Sequence, residues 1–328
     1  MSLRIAIVGT GNVARDSYLP YLAQQPDLEL LYYSRTRDRA AACARDFGGS
    51  VAGSLAELMD QQPDAVLLLT HETQRYEAAL ALLEQRPKRL FFEKPLVAMA
   101  GQANVSEDDF FKAREVLLRA EAIGCQTAMV FNYRFFEQTQ RASKLLAERE
   151  WGKLQQATLL VNYACWSHCI DLLGCASGPA TTITALSGAT EFKGAVDVAA
   201  AFTTACGATG TILGTSATRF DSPLYEMLMV FEGGSVRFTD LDGSLDVWDN
   251  QSRYRQSYEL IANHSRWNQY GDSFGKSLAA YLQSIRDDAP PPVPGLAGLQ
   301  ELQFEAALRR SAAEGRPVDA SAEFPLKS

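Results

Sequence analysis

Three groups of residues in this sequence have types and spacings that could do chemistry. The first is Gly9-Thr10-Gly11-Asn12-Val13-Ala14, which follows the apolar run Ile5-Ala6-Ile7-Val8 and opens a helical pattern. That is the setting a G-x-G-x-x-A dinucleotide fingerprint requires. Gly9 allows the tight turn, and Gly11 lets the backbone approach a pyrophosphate. Ala14 lets the helix pack near the strand while its N-terminal amides face the phosphates. The plainer alternative is an ordinary strand-to-helix turn. The second group is Ser34, Arg35 and Arg37, at the end of a second apolar run. NAD-selective proteins carry an acid there for the ribose 2′-hydroxyl. Here Ser34 can donate to a 2′-phosphate, Arg35 offers a planar charged fork, and Arg37 stands behind it. NADP is the expected cofactor, with NAD as the second choice; two solvated arginines are the alternative. The third is His168, whose near-neutral unperturbed pKa suits proton exchange, although a lone helical histidine also serves as a structural donor.

Cys165, His168 and Cys169 share a helical face, and Cys175 follows. Without a paired C-x-x-C the thiols read as small buried apolar groups, and no metal is expected. The other cysteines, Cys43, Cys125 and Cys206, are too sparse for a disulfide framework.

The elements that position these groups follow from periodicity. A helix is expected from about Val13 to Gln24, a strand at Leu28 to Tyr33, and a helix from Asp38 to Phe47 stopped by Gly48-Gly49. Ala65 to Leu69 is a strand closed by Thr70, Gln74 to Glu84 a helix, and Leu90 to Phe92 a strand closed by Glu93-Lys94-Pro95. Ala100 to Asp109 reads as an exposed polar loop, followed by a helix from Phe110 to Ala122 and a strand from Gln126 to Phe131. Such alternation specifies an α/β fold, a doubly wound parallel Rossmann sheet whose ligand lies beyond the carboxyl ends of the strands. Gly9, Ser34, Thr70 and Glu93 all emerge there. From Lys153 onward the pattern changes to β-rich runs linked by glycine turns, at 154–163, 181–186, 196–204, 210–218, 224–231, 236–240, 245–248 and 253–260. These imply a C-terminal α+β domain with a large open, mostly antiparallel sheet. One helix, Ser167 to Cys175, interrupts them; two more, Asn268 to Asp287 and Leu296 to Glu314, flank a Pro290-Pro291-Pro292-Val293-Pro294 linker. The expected division is 1–130 for the dinucleotide-binding domain and 131–328 for substrate binding and oligomerisation, with the helices of 268–314 able to pack back on the first.

A chain of 328 residues with 47% hydrophobic and 21% charged residues is that of a globular protein with room for two cores. A net charge of −8 without a basic cluster argues against nucleic acid or an anionic membrane as partner, so small molecules are the expected ligands. No apolar run is long enough to span a bilayer, and the first strand starts within a few residues, so a cytoplasmic protein is expected.

Taken in order, the G-x-G-x-x-A motif, Glu93-Lys94-Pro95, Asn132-Tyr133-Arg134, His168-x-x-Asp171 and the closing 302–318 segment resemble the glucose-fructose oxidoreductase and inositol dehydrogenase (Gfo/Idh/MocA) family over nearly the whole chain. The resemblance implies hydride transfer between a nicotinamide and a hydroxyl or carbonyl of a sugar, cyclitol or similar polyol. It places Lys94 beside the nicotinamide and the reacting hydroxyl, with His168 to exchange the proton. It also implies cofactor contacts from Gly9 to Val13, at Thr70 and at Glu93, and a homodimer or homotetramer formed through the C-terminal sheet. Tyr133, Arg134 and Trp166 are expected to face the cleft as substrate contacts. Three departures stand out. Thr70-His71-Glu72-Thr73-Gln74-Arg75 replaces the family's Thr-Pro and later histidine, Ala164 stands where the family has an aspartate, and almost no loop precedes Cys165. Two other functions therefore stay open: a redox-assisted lyase or glycosidase, and a dinucleotide-binding sensor without turnover.

Overall fold

The computed structural model describes residues 2–192, 195–215, 220–262 and 264–327. The first sheet is built from β1 (Leu3–Val8), followed by a π-helical turn (Ala14–Tyr18) that continues into α1 (Leu19–Leu22), then β2 (Leu28–Tyr33) and α2 (Arg37–Phe47). It goes on with β3 (Ser50–Val51), α3 (Leu55–Asp60), β4 (Ala65–Leu68), α4 (Glu72–Glu84), β5 (Arg89–Phe92), α5 (Glu107–Ala122) and β6 (Gln126–Met129). The six strands are parallel in the order β3-β2-β1-β4-β5-β6, the doubly wound order of dinucleotide-binding domains. Both faces are buried: Ile5 and Ile7 pack into one core, Ala6 and Val8 into the other. Such two-sided burial is why these strands read as continuous apolar runs.

Three expectations need adjusting. The first helix ends two residues early and carries the π turn, because Pro20 has no N–H for the helical ladder; Leu19 N–H reaches Ala14 O instead. β3 and α3 were not expected, although Ser54-x-x-Glu57 is a capping signature: the Ser54 hydroxyl accepts the Glu57 N–H at 3.1 Å, and the Glu57 carboxylate accepts the Gly53 N–H at 2.6 Å. The stretch 100–109 is not simply an exposed loop. Asp109 is fully buried and accepts the backbone N–H groups of Met99 (2.7 Å) and Ser106 (2.8 Å), which starts α5 early.

The second half contains α6 (Glu137–Glu148), β7 (Leu154–Asn162), α7 (Trp166–Ser177), β8 (Ala180–Phe192), β9 (Ala195–Thr204), β10 (Thr209–Thr215), β11 (Tyr225–Phe231), β12 (Gly234–Thr239), β13 (Leu245–Asp249) and β14 (Arg255–Tyr258). It closes with α8 (Arg266–Arg286), α9 (Gly295–Glu314), β15 (Val318–Asp319) and α10 (Ala320–Glu323). The described strands form a nine-stranded sheet in the order β14-β13-β12-β11-β7-β10-β9-β8-β15. Among the described residues of this sheet only the β10–β7 pairing is parallel. Residues 216–218, expected to extend the β10 run, lie outside the described residues. Every other run found by alternation in the sequence is a strand of this sheet.

The two closing helices tie the halves together. Phe274, Leu278, Tyr281, Leu282 and Ile285 of α8 share a core with Ile5, Leu67 and Phe91 of the first sheet and with Tyr18 of the π-helical turn. On the opposite face of that sheet, Leu299 and Leu302 of α9 join a core continuous with Leu159 and Ile212 of the second sheet. The proline-rich linker runs beside β6, where Met129 N–H donates to Val293 O at 3.0 Å.

Candidate active site

At the end of β1 the chain turns through Gly9 with φ +98°, and a Cβ there would come within 2.6 Å of the Thr70 nitrogen. Glycine is thus required by the chain's own packing. Gly11 differs, since a Cβ there would meet no protein atom. Whatever wants a bare backbone at Gly11 lies outside the protein, as the fingerprint implies. The hydroxyls of Thr10 and Thr70, both buried beside this turn, have no hydrogen-bond partner. Buried polar atoms are ordinarily satisfied. Two orphans at the carboxyl edge of the strands, next to an open glycine backbone, fit a dinucleotide.

The adjoining strand end is held by a residue that sequence reasoning passed over. Arg75, only 2% exposed, lies on the buried face of α4 with Ala79, Leu82 and Leu83. Its guanidinium donates to Thr70 O and Glu93 O, both at 2.7 Å, and to Pro95 O. One planar cation thereby fastens the β4 exit to the turn after β5. Within that turn the Lys94–Pro95 peptide is cis, and the Glu93 carboxylate accepts the Lys94 N–H at 2.7 Å. The Lys94 Nζ donates to Gln102 Oε1 at 2.8 Å.

Lys94 stands in a cavity of about 650 Å³ between the two sheets. His71, Glu72, Gln102 and Asn104 line its first-sheet side; Tyr133, Tyr163, Ala164 and Cys165 line its floor. Phe220, Leu224, Leu241, Trp267 and Tyr270 close it from the second half. Burial depresses the Lys94 pKa, opposed by the charges of Glu93, Cys165, Glu301 and Glu72. The result is an amine more readily deprotonated than an exposed lysine. The Cys165 thiol is pushed up to about 12, chiefly by burial, and receives the Tyr133 hydroxyl at 3.1 Å. It is therefore a thiol acceptor and not a nucleophile.

His168, expected to exchange the proton, is 2% exposed and does not line the cavity. Its ring stacks on Tyr133 at 4.1 Å, Phe131 meets it edge-on at 5.8 Å, and its Nδ1 has no partner. Burial, assisted by Lys94, drives its pKa well below the usual value, which leaves the ring neutral. Ala164 opens onto the cavity and provides no carboxylate to reverse this.

Residues 3–115 match the GFO_IDH_MocA model, described as an oxidoreductase family with an NAD-binding Rossmann fold. The first domain is thus similar to this family over residues 3–115. A curated relative, the D-glucoside 3-dehydrogenase of Escherichia coli strain K12, is 28% identical over 159 residues, covering 48% of this chain and 42% of the relative. The chain thus matches less than half the length of that enzyme. Among solved structures, an Agrobacterium radiobacter oxidoreductase in complex with NAD+, L-tartaric acid and magnesium superposes with a TM-score of 0.81 at 16% identity, covering 98% of this chain and 100% of its own. The WlbA dehydrogenase of Bordetella pertussis, in complex with NADH and UDP-GlcNAcA, gives 0.76 at 20% identity and 97% coverage of both chains. At these identities the two structures establish the fold over nearly the full chain and nothing finer.

In the first domain the surface beyond the end of β2 is open. Arg35 and Arg37 are exposed at the end of β2, with Arg35 hydrogen-bonded to Gln74 of α4. Asn12 and Val13 are exposed at the start of the first helix.

Two expected substrate contacts are corrected. Arg134 does not face the Lys94 cavity. Its guanidinium forks onto the buried Asp171 carboxylate at 2.7 and 2.5 Å and lines a second cavity of about 290 Å³ behind α7. The arginine next to a cleft tyrosine is thus taken up by the buried Asp171. Trp166 is 9% exposed and packs over Gly214 of β10, where a Cβ would approach its ring to 2.5 Å. Indole volume fills the gap above that glycine. Tyr133 does reach the cavity. Among the described residues no group of three or more histidine, cysteine or acidic side chains is placed to hold a metal ion. Nor is any helix long and apolar enough to cross a membrane.

Helix α9 buries two carboxyl groups, Glu301 and Glu305, one turn apart. Burial pushes Glu305 from 4.5 to about 7, against the pull of Arg309 and the Trp166 indole. The folded state therefore binds a proton that the unfolded state gives up between these values, so stability falls as pH rises from about 4.5 to about 7 and then levels off. By this linkage the cost at pH 8 is on the order of a few kcal/mol. Glu305→Gln is expected to raise the melting temperature at pH 8 and flatten its decline between pH 5 and 7. Parallel pH–Tm curves for the variant and the parent would contradict this.

Proposed function

We propose that the chain is an NAD(P)-dependent oxidoreductase, NADP preferred, that transfers a hydride between nicotinamide and a hydroxyl or carbonyl carbon of a sugar, cyclitol or related polyol. The observation that carries the reading is Lys94: an amine with a depressed pKa, in a cavity between the family's dinucleotide sheet and a second sheet. The nicotinamide, when bound, supplies the hydride donor or acceptor. In oxidation the hydroxyl proton passes to the neutral Lys94 amine as the carbonyl forms, and in reduction the ammonium returns it. Gln102 holds the amine in place. Gly9, Gly11 and the hydroxyls of Thr10 and Thr70 form the phosphate and ribose end. The D-glucoside substrate in the name of the E. coli relative supports a sugar.

NADP preference rests on Ser34, Arg35 and Arg37, with no acid among them to repel a 2′-phosphate. Titration of both cofactors is expected to give tighter binding of NADP, with the advantage lost in Arg35→Ala. Tighter NAD binding would reverse the assignment. Reduction of the bound cofactor by a panel of sugars and polyols tests the reaction itself. A retained cofactor that no member of the panel reduces would favour the sensor.

The outer face of the second sheet supports self-association. Exposed Leu186, Ala199, Leu213 and Leu160 are register partners across β8, β9, β10 and β7, forming an apolar row. Homodimers or homotetramers would bury it. A single 36.0 kDa species in sedimentation at micromolar protein would rule this out.

A further inference from the structure

The walls of the Lys94 cavity differ in chemistry. The first-sheet side offers the side chains of Glu72, Lys94, Gln102 and Asn104, all able to hydrogen-bond a polyhydroxylated ring. The opposite side is Phe220, Leu224, Leu241, Trp267 and Tyr270. Two of these leave large aromatic surfaces in water, Trp267 at 52% and Phe220 at 47% exposure. Both are braced. Trp267 meets Tyr270 edge-on at 6.0 Å, Tyr270 meets Phe274 at 5.2 Å, and Phe220 meets Tyr163 at 6.5 Å. Arg266, next to Trp267, pairs with Asp240 at 2.9 Å and donates to Ser222 O at 3.1 Å, which ties the start of α8 to the segment that carries Phe220.

A free polyol could lay its C–H faces on the opposite wall and reach only the Trp267 N–H and the Tyr270 hydroxyl, while Phe220, Leu224 and Leu241 offer its hydroxyls no partner for the water they would lose. We infer that the substrate carries an apolar group remote from the reacting carbon, as in an aryl glycoside, with the sugar ring against Lys94 and Gln102 and the aglycone against Trp267 and Phe220. This rests on the proposed oxidoreductase reading and narrows its substrate class. The aromatic rim, fixed before binding, gains by covering surface already exposed, at small ordering cost.

The test compares methyl and phenyl glycosides of the same sugar with the full chain and its cofactor. The expected kcat/KM for the phenyl compound is about tenfold or more above that for the methyl compound, in the range that apolar pockets achieve. Trp267→Ala is expected to bring the ratio within about twofold, and Phe220→Ala to lower it in the same direction. Equal kcat/KM in the parent, or an unchanged ratio in both variants, would overturn the inference. If no glycoside is oxidised, calorimetry separates the two ideas. Phenyl glycoside binding that is weakened by Trp267→Ala keeps the subsite while the hydride-transfer reading fails. Binding that is absent, or indifferent to Trp267, removes the subsite.

Discussion

Lys94→Met is expected to lower kcat by about 10²- to 10⁴-fold, the usual worth of a positioned acid or base, while NADP still binds. Methionine keeps the length and much of the volume of lysine, so the turn fastened by Arg75 should survive. The pH dependence gives a second readout. Because burial lowers the Lys94 pKa, the amine is neutral at lower pH than an exposed lysine, and the oxidation rate should climb with pH through that value and then hold level. In Lys94→Met that rising limb should vanish. His168 provides the contrast. Its ring is buried, stacked on Tyr133 and held neutral, so His168→Leu should alter stability more than the shape of the pH profile. If the limb persists in Lys94→Met and disappears in His168→Leu, the roles are reversed.

Arg75→Met is expected to destabilise the fold by about 3–5 kcal/mol, the usual cost of breaking a buried charged arrangement from one side. Three carbonyl oxygens, those of Thr70, Glu93 and Pro95, would lose their donor together. Denaturant unfolding reads the loss directly. Arg75→Lys should recover only a part, since an ammonium cannot reach three acceptors spread around a planar fork. The damage should also reach turnover, because two of the released carbonyls, those of Glu93 and Pro95, flank Lys94. A variant of parental stability and activity would mean that water replaces the guanidinium at little cost.

Most of the architecture was legible because its strands are buried in simple ways. Runs such as Ile5 to Val8 are covered on both faces, and runs such as Leu154 to Asn162 alternate between core and surface. What escaped was short or locally specified. The two-residue β3 has no period to detect, and α3 announced itself only through Ser54 and Glu57. In the site, motif order found the glycine turn and Lys94. It could not tell that Arg134 would be captured by Asp171, because that depends on a partner 37 residues away. Arg75 did leave a trace: with Ala79, Leu82 and Leu83 it sits at helical spacing on an apolar face, where an arginine must have acceptors waiting. Glu301 and Glu305 left the same trace on α9.

The placement of α8 has a consequence for biosynthesis. β6 ends at Met129, whereas the helix that shields Ile5, Tyr18 and Phe91 ends at Arg286, 157 residues later (286 − 129). At about 5–20 residues per second, a ribosome would leave that apolar face uncovered for roughly 8–30 s. The nascent dinucleotide-binding half thus exposes, throughout that interval, an apolar face of the kind that chaperones shield. A fragment cut at residue 130 would carry the fingerprint and its phosphate turn but stay permanently in this half-covered, aggregation-prone form.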